Sequence, residues 1–450
     1  MSNNGSRELP DQIRPHPNAQ YQDPQAADKR VYPEDENDDV KSQEWQGLVD
    51  ALHLYRRKLL SIPEVTAVDL GYKISNNRFT DKPALRVHVK RKLPPEFFED
   101  RPGDLIPKTD ATPKRPEQEY LIPGRNHEPV LMDVVEANYK LTAELPQRRA
   151  VLEKPLKTKE VNRRRRVDPL VGGISIGSPE TPAGTLGALV WDNEDGSICI
   201  LSNWHVLAGS LCAEAGTPCL QPGLLDQGRS TDVVARLKRW SFNRQTDAAI
   251  AQLNGSRHYT TGEILEMFQA IRGVADRVHL GMKVHKSGRS SGHSWGFIDG
   301  LYFSTALEYT NGVVRVFEEQ IHIAPLTERS ISEPGDSGAV WVTNAPDEGY
   351  LAVGLHFAGD LPQASFGEYA LANPMSVVAR RLDFSFRPLF LEIRDDDVVS
   401  LRPPEVSRPV QAIGMRPMGF LAGGMLTGSG GEPDPVVIEP KTQPKSSTVG

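Results

Sequence analysis

Residues 334–340 read PGDSGAV, and Ser337 at their centre is a candidate nucleophile. A serine hydroxyl holds its proton tightly at neutral pH, so attack on a carbonyl needs a base within reach and a group that orients the base. The chain offers both upstream. His205 stands in LSNWHVLAG, where the strand-like ICILSN runs into a helical turn, and Asp247 opens the apolar run DAAIAQL. An imidazole of ordinary pKa, about 6.5, can accept the hydroxyl proton and return it to a leaving amine. A carboxylate on its other nitrogen fixes the tautomer and stabilises the imidazolium. Gly335 and Gly338 permit backbone angles that expose Ser337, and the amides of Gly335 and Ser337 could then face a developing oxyanion. Each residue also has an ordinary reading: Ser337 as the middle of a tight turn, His205 as a half-buried histidine, Asp247 as a strand-start cap. Asp232, which opens DVVARL, is the nearest competing acid.

These residues need a scaffold, and the texture of the chain says which kind. With 450 residues it exceeds one ordinary core. Glu44 to about Ile62 carries Leu48, Leu52, Tyr55 and Leu59 at helical spacing, and VTAVDLGYKI, PALRVHVKRK and EPVLMDVVEANYKL read as strands. Residues 45–145 are therefore expected to form a small α+β domain after a polar, acidic, disordered segment 1–44. A basic connector at 146–170, with the run RRRR at 163–166, reads as a solvated linker. From 171 to about 395 short apolar strands alternate with Gly, Asn and Asp, with a helical stretch expected at about 261–271 and a closing helix at 373–384. Two clusters of strands suggest two packed barrels or sandwiches. A Pro- and Gly-rich tail, 396–450, reads as disordered.

Composition narrows the function classes. Net charge of −7 argues against bulk affinity for nucleic acid or membranes, and no run of 18 apolar residues exists to span a bilayer. The start MSNNGSRELPDQ has no apolar segment after a basic one, so a secretory signal is not expected. Three cysteines, Cys199, Cys212 and Cys219, fit a reducing cytoplasm better than a disulfide framework, with a Cys212–Cys219 bridge the minor alternative. Histidines are scattered without metal-ligand spacing, so neither a catalytic metal nor another cofactor is expected.

The order His205, Asp247, Ser337, with LSNWHVLAG, TDAAIAQL, VHKSGRSSG and PGDSGAV in sequence, resembles the chymotrypsin-like serine peptidases over about 171–390. GGISIGS, AGTLGALV, LQPG and ANP, placed after a small N-terminal domain, are similar to an intracellular trypsin-like branch that includes plant narrow-leaf-type proteases. The resemblance implies a mainly β protein, a double six-stranded β-barrel, in which Ser337 is the nucleophile, His205 the general base and Asp247 its orienting acid. Val206 departs from the pattern, since Cys follows the base in many secreted members. LVGG at 170–173 resembles a processed amino terminus that pairs with the acid beside the nucleophile, here Asp336. Pro169 makes a cut there awkward, which leaves Asp336 in need of another partner.

Within that resemblance the specificity position before the nucleophile is Ile331, which disfavours Arg or Lys as substrate. GLHFAG (354–359) is similar to a segment of glutamyl endopeptidases in which a histidine contacts Glu or Gln, assisted by a hydroxyl residue. His356 and Ser332 take those places here, unless His356 packs at the barrel rim. The expected function is cytoplasmic hydrolysis of protein or peptide substrates by a serine endopeptidase. The alternative is a catalytically silent or ligand-gated peptide-binding scaffold, with a regulatory partner docking on 45–145 or on the basic linker.

Overall fold

The computed structural model describes residues 38–75, 78–91, 120–125, 128–141, 162–309, 312–326, 330–360, 369–388, 391–393 and 399–401. Most of the segments expected to be disordered at either end, and the linker up to residue 161, lie outside these. Helix α1 (Asp38–Leu60) buries Trp45, Leu48, Leu52 and Leu59 along one stripe, with Arg57 and Lys58 in its last turn, where cations suit the helix dipole. Strands β1 (Val65–Ser75), β2 (Arg78–Val89), β3 (Tyr120–Pro123), β4 (Pro129–Glu136) and β5 (Tyr139–Leu141) follow. The single strand expected over 128–141 is thus two. It breaks where the Ala137 amide turns to the Val89 carbonyl and the Asn138 amide to the Asp360 carboxylate.

The next strands are β6 (Leu170–Gly172), β7 (Ile174–Ile176), β8 (Gly184–Leu186), β9 (Ala188–Asp192) and β10 (Ile198–Ser202). A one-turn helix α2 (Trp204–Leu207) precedes β11 (Pro218–Leu220), β12 (Val233–Phe242), β13 (Asp247–Leu253) and β14 (Tyr259–Ile264). Then come β15 (Ile271–Val274), β16 (Lys283–Gly288), β17 (Gly292–Glu308), β18 (Val314–Pro325), β19 (Val340–Asn344), β20 (Tyr350–Asp360) and β21 (Ala370–Pro374). Helix α3 (Met375–Leu382), the expected closing helix, and β22 (Phe384–Ser385) end this body. The helix expected at about 261–271 is absent: β14 and β15 flank a turn in which Glu266 takes a positive φ of 65°.

The molecule is mainly β. Strands β16, β19, β20, β21, β18 and β17 pair in that order, and β17 pairs back to β16, closing a six-stranded barrel. The earlier set forms a six-stranded antiparallel sheet in the order β11-β12-β13-β10-β9-β22. The α+β segment adds to the barrel sheet directly: β1 pairs antiparallel with β17, and β2, β4 and β3 extend the sheet outward. One continuous apolar cluster joins Trp45, Leu52 and Val68 to Ile298, Ile323 and Trp341. At the junction Arg86 bridges Asp69 and Asp299, His88 meets Asp69, His322 meets Asp299, and the Tyr139 hydroxyl lies 2.8 Å and 2.9 Å from the two histidines. All six groups are buried.

The run RRRR is not uniformly solvated. Arg163 is buried and reaches the Gly173 carbonyl, the Ser287 hydroxyl and Glu266, whereas Arg164 and Arg165 are exposed. Cys199, Cys212 and Cys219 are all free, so the Cys212–Cys219 bridge is not formed.

Candidate active site

The three residues singled out from their order lie on elements that converge. β10 ends at Ser202 and leads through Asn203 into α2, which carries His205. Asp247 starts β13, the antiparallel neighbour of β10, so sheet pairing brings Asp247 and His205 together. His205 Nδ1 lies 2.5 Å from Asp247 Oδ2, and the His205 amide donates to Asp247 Oδ1 at 3.1 Å. A carboxylate held by a ring nitrogen and a backbone amide of the same residue fixes that ring's rotation.

Asp247 is itself held from three further directions. The Tyr309 hydroxyl donates to Oδ2 at 2.7 Å, the Asn203 amide nitrogen donates to the Asp247 carbonyl at 2.6 Å, and the Asp247 amide donates to Asn373 Oδ1 at 3.0 Å. Asn373 in turn donates to Gln320 Oε1 at 2.6 Å. Burial and the neighbouring Asp247 charge push the Tyr309 phenol well above its usual range, so it stays a donor. Sequence reasoning named none of these supports, although LSN and ANP were the stretches that contain Asn203 and Asn373. The competing acid, Asp232, pairs instead with Arg257 at 3.2 Å and Arg166 at 3.7 Å.

The loop that carries Ser337 sits against the same wall. The Thr185 amide of β8 donates to the Ser337 carbonyl at 2.7 Å, and the Thr185 hydroxyl donates to the Gly335 carbonyl at 2.9 Å. A Cβ placed on Gly184 would meet both Val206, beside the base, and the Ser337 carbonyl, 2.5 Å and 2.9 Å away. Gly335 and Gly338 take φ of 101° and 96°, and a Cβ on either would strike Arg289 at 2.3 Å or Ser202 at 2.1 Å. The sharp loop therefore demands glycine at both places. Ser337 Oγ donates to the Phe357 carbonyl at 3.4 Å, and His205 Nε2 is buried without a hydrogen-bond partner among the described residues.

Asp336 has the partner that sequence could not name. Lys286 Nζ donates to its Oδ2 at 3.0 Å, and the amides of Ser290, Ser291 and Glu333 donate to the carboxylate at 2.9, 3.0 and 3.1 Å. Burial alone would raise this carboxyl, but the Lys286 charge and the amide donors hold it well below the usual range. Leu170–Gly172, the LVGG stretch, is strand β6 paired with β14.

Of the three specificity candidates, two meet and one does not. Ser332 Oγ lies 3.2 Å from His356 Nε2, and Trp341 Nε1 donates to His356 Nδ1 at 3.4 Å, which leaves the ring proton on Nε2 to face Ser332. A Cβ on Gly359 would lie 2.1 Å from Ser332 Oγ, so the pair sits directly beneath the far end of β20. Burial, then the nearby Lys286 charge, bring the His356 pKa down to about 3, so the ring is neutral. Ile331 is packed in the apolar cluster with Trp341 and Ile323.

No family model and no curated protein matches the chain. Among solved structures, Thermobifida fusca Protease A is 16% identical, covering 48% of this chain and 96% of its own, with a TM-score of 0.35. Cellulomonas bogoriensis chymotrypsin is 17% identical over 48% of this chain and 98% of its own, at 0.35. A structure described as "A glutamic acid specific serine protease utilizes a novel histidine triad in substrate binding" is 16% identical over 48% and 99%, at 0.36.

Proposed function

We propose that the protein is a serine endopeptidase of the chymotrypsin-like kind, with Ser337 as nucleophile, His205 as general base and acid, and Asp247 as the residue that orients His205. The observation that carries this reading is the His205 Nδ1–Asp247 Oδ2 contact of 2.5 Å, with Nε2 left free to receive a proton. Attack of Ser337 Oγ on a peptide carbonyl transfers the hydroxyl proton to Nε2 and forms a tetrahedral oxyanion. The amides of Gly335 and Ser337 stabilise that charge, each such donor being worth about 2.7–4 kcal/mol. Collapse expels the amine, which takes the proton from His205, and water then hydrolyses the acyl-enzyme by the same route. A protein or peptide substrate in a cytoplasmic setting completes the proposal; among the described residues no helix is long and apolar enough to cross a membrane.

One observation favours the silent scaffold as a second reading. The Ser337 hydroxyl donates to the Phe357 carbonyl, while the base lacks a partner, so the proton-transfer bond is not formed in this state. Labelling with a fluorophosphonate tests the two readings: covalent attachment at Ser337, abolished by Ser337→Ala and by His205→Ala, is expected of the enzyme. Labelling that survives Ser337→Ala, or that never occurs under any activating condition, rejects it.

A further inference from the structure

Strand β20 runs beside the Ser337 loop, and its two edges are occupied differently. On one edge β15 and then β21 accompany it from Tyr350 to Gly359. On the other edge β19 pairs with it from Tyr350 to Leu355, and the loop after Ser337 continues the ladder, with the Gly338 amide donating to the His356 carbonyl at 2.9 Å. The next residue, Phe357, offers its carbonyl to Ser337 Oγ. Beyond it that second edge is the place where an extended peptide, added as a further strand, would have one end at the nucleophile.

That place is taken. β5 pairs antiparallel with β20 there: Leu141 opposite Ala358, Lys140 opposite Gly359, Tyr139 opposite Asp360. The strand is anchored, since the Tyr139 hydroxyl joins the buried His88 and His322 and the Asn138 amide donates to Asp360 at 2.9 Å. Its register puts Leu141 opposite Ala358, one residue from Phe357, and Lys140 opposite Gly359, the residue that lies over Ser332. We infer that Tyr139–Leu141 occupies in cis the sheet edge on which a peptide must lie to reach Ser337, so that the resting protein is self-blocked. The regulatory element is this strand, and the partner it mimics is an extended peptide. The inference rests on the peptidase reading for its consequence but concerns peptide binding itself.

The test uses full-length protein carrying Ser337→Ala, and a fluorescein-labelled peptide with the sequence of residues 139–149, followed by anisotropy. Leu141→Pro removes an edge amide and is expected to tighten binding at least ten-fold. In the double variant Leu141→Cys with Ala358→Cys, oxidation ties β5 to its edge and is expected to reduce binding at least ten-fold relative to the same protein reduced with dithiothreitol. The pair at Gly359 is unsuitable, because a side chain there strikes Ser332. If Leu141→Pro loses its cooperative melting transition, the oxidised and reduced comparison decides alone. Equal binding in oxidised and reduced forms, or no gain in a folded Leu141→Pro variant, overturns the inference. Since binding is scored without Ser337, a failure of phosphonate labelling in a folded Leu141→Pro variant that keeps Ser337 counts against the peptidase and not against the self-block.

Discussion

Lys286 Nζ donates to Asp336 Oδ2 across 3.0 Å at a place where neither side chain meets solvent. The pair ties β16 to the Ser337 loop, one residue before Ser337. Removing one member of a buried ion pair leaves an uncompensated charge, a loss of about 3–5 kcal/mol. Lys286→Met is therefore expected to lower the melting temperature markedly and to slow phosphonate labelling of Ser337. Double replacement by apolar residues, Lys286→Met with Asp336→Leu, removes the uncompensated charge but should recover only part of the stability and none of the labelling, because the amides of Ser290, Ser291 and Glu333 that now hold Asp336 lose their acceptor. Thermal denaturation of the two variants checks this, and equal melting temperatures for the parent and Lys286→Met would reject it.

Tyr309 is expected to matter to rate rather than to folding. Its hydroxyl is one of the donors on the Asp247 carboxylate, while its ring packs edge-on to Phe242 at 5.0 Å. Tyr309→Phe keeps the ring contact and deletes the hydrogen bond. A loss of about 1.4 kcal/mol in transition-state stabilisation corresponds to a ten-fold fall in kcat/KM. The fall should appear in kcat, with KM little changed and the melting curve close to that of the parent. An unchanged kcat means that the remaining contacts hold Asp247 without it.

The order His205, Asp247, Ser337 was legible in the sequence because each of its motifs is local: a few residues around each carry the whole pattern. The supports were not, since they depend on distant pairing. Tyr309 reaches Asp247 only because the 17-residue β17 delivers it there, and Lys286 reaches Asp336 through barrel closure. The helix expected near 261–271 failed for a local reason: Gly262 within β14 and Glu266 in the turn before β15 both take positive φ. The closed six-stranded barrel follows the strand alternation after residue 280. That β1 extends its sheet is invisible in β1 itself, because an edge pairing leaves no periodic signature beyond that of any strand.

Stability should fall as the solution is acidified from neutrality, and buried histidines set part of the slope. Burial lowers His285 to about 3, with a further push from His293, and lowers His293 and His356 to about 4 and about 3. Each folded value lies below the ordinary 6.5, so in between the unfolded chain holds a proton that the native chain lacks. Their contribution is complete above pH 6.5 and is lost as pH drops towards 4 and 3. Each group adds about 1.36 kcal/mol per pH unit to the slope in that window. His285→Phe, which keeps a ring against Trp295, should reduce the slope between pH 4.5 and 6 by about one proton; denaturant titrations across that range measure it.

Excision tests whether the basic linker is a domain boundary. The sequence reading implies that 166–395 folds alone. The pairing of Ala67 with Thr305 and Leu70 with Leu301, and the Arg86–Asp299 ion pair, imply that the fragment loses a sheet neighbour and leaves Asp299 and His322 without two of their partners. The fragment is expected to melt at least 10 °C below the full chain, in keeping with a loss of several kcal/mol. A melting temperature equal to that of the full chain would support the linker boundary.

Specificity is the finest prediction, and it rests on the Ser332–His356 pair. His356 accepts from Trp341 through Nδ1, so its Nε2 proton points to Ser332 Oγ beneath Gly359. A neutral imidazole N–H and a hydroxyl side by side suit an acceptor oxygen, as in the side chain of Glu or Gln, better than a cation. Ile331 sits in the apolar cluster and supplies no acid for Arg or Lys. A substrate oxygen that accepts from the Ser332 hydroxyl makes a hydrogen bond that an apolar side chain cannot make, a difference of about 0.5–1.5 kcal/mol, roughly 2- to 13-fold in kcat/KM. A peptide-library cleavage profile, taken with Leu141→Pro if the parent is self-blocked, should show Glu or Gln enriched before the cut. His356→Leu should lose that enrichment while cleavage after apolar residues persists. Preference for Leu, Phe or Arg in the parent would mean that the pair is a structural element of the barrel and that the side-chain pocket lies elsewhere.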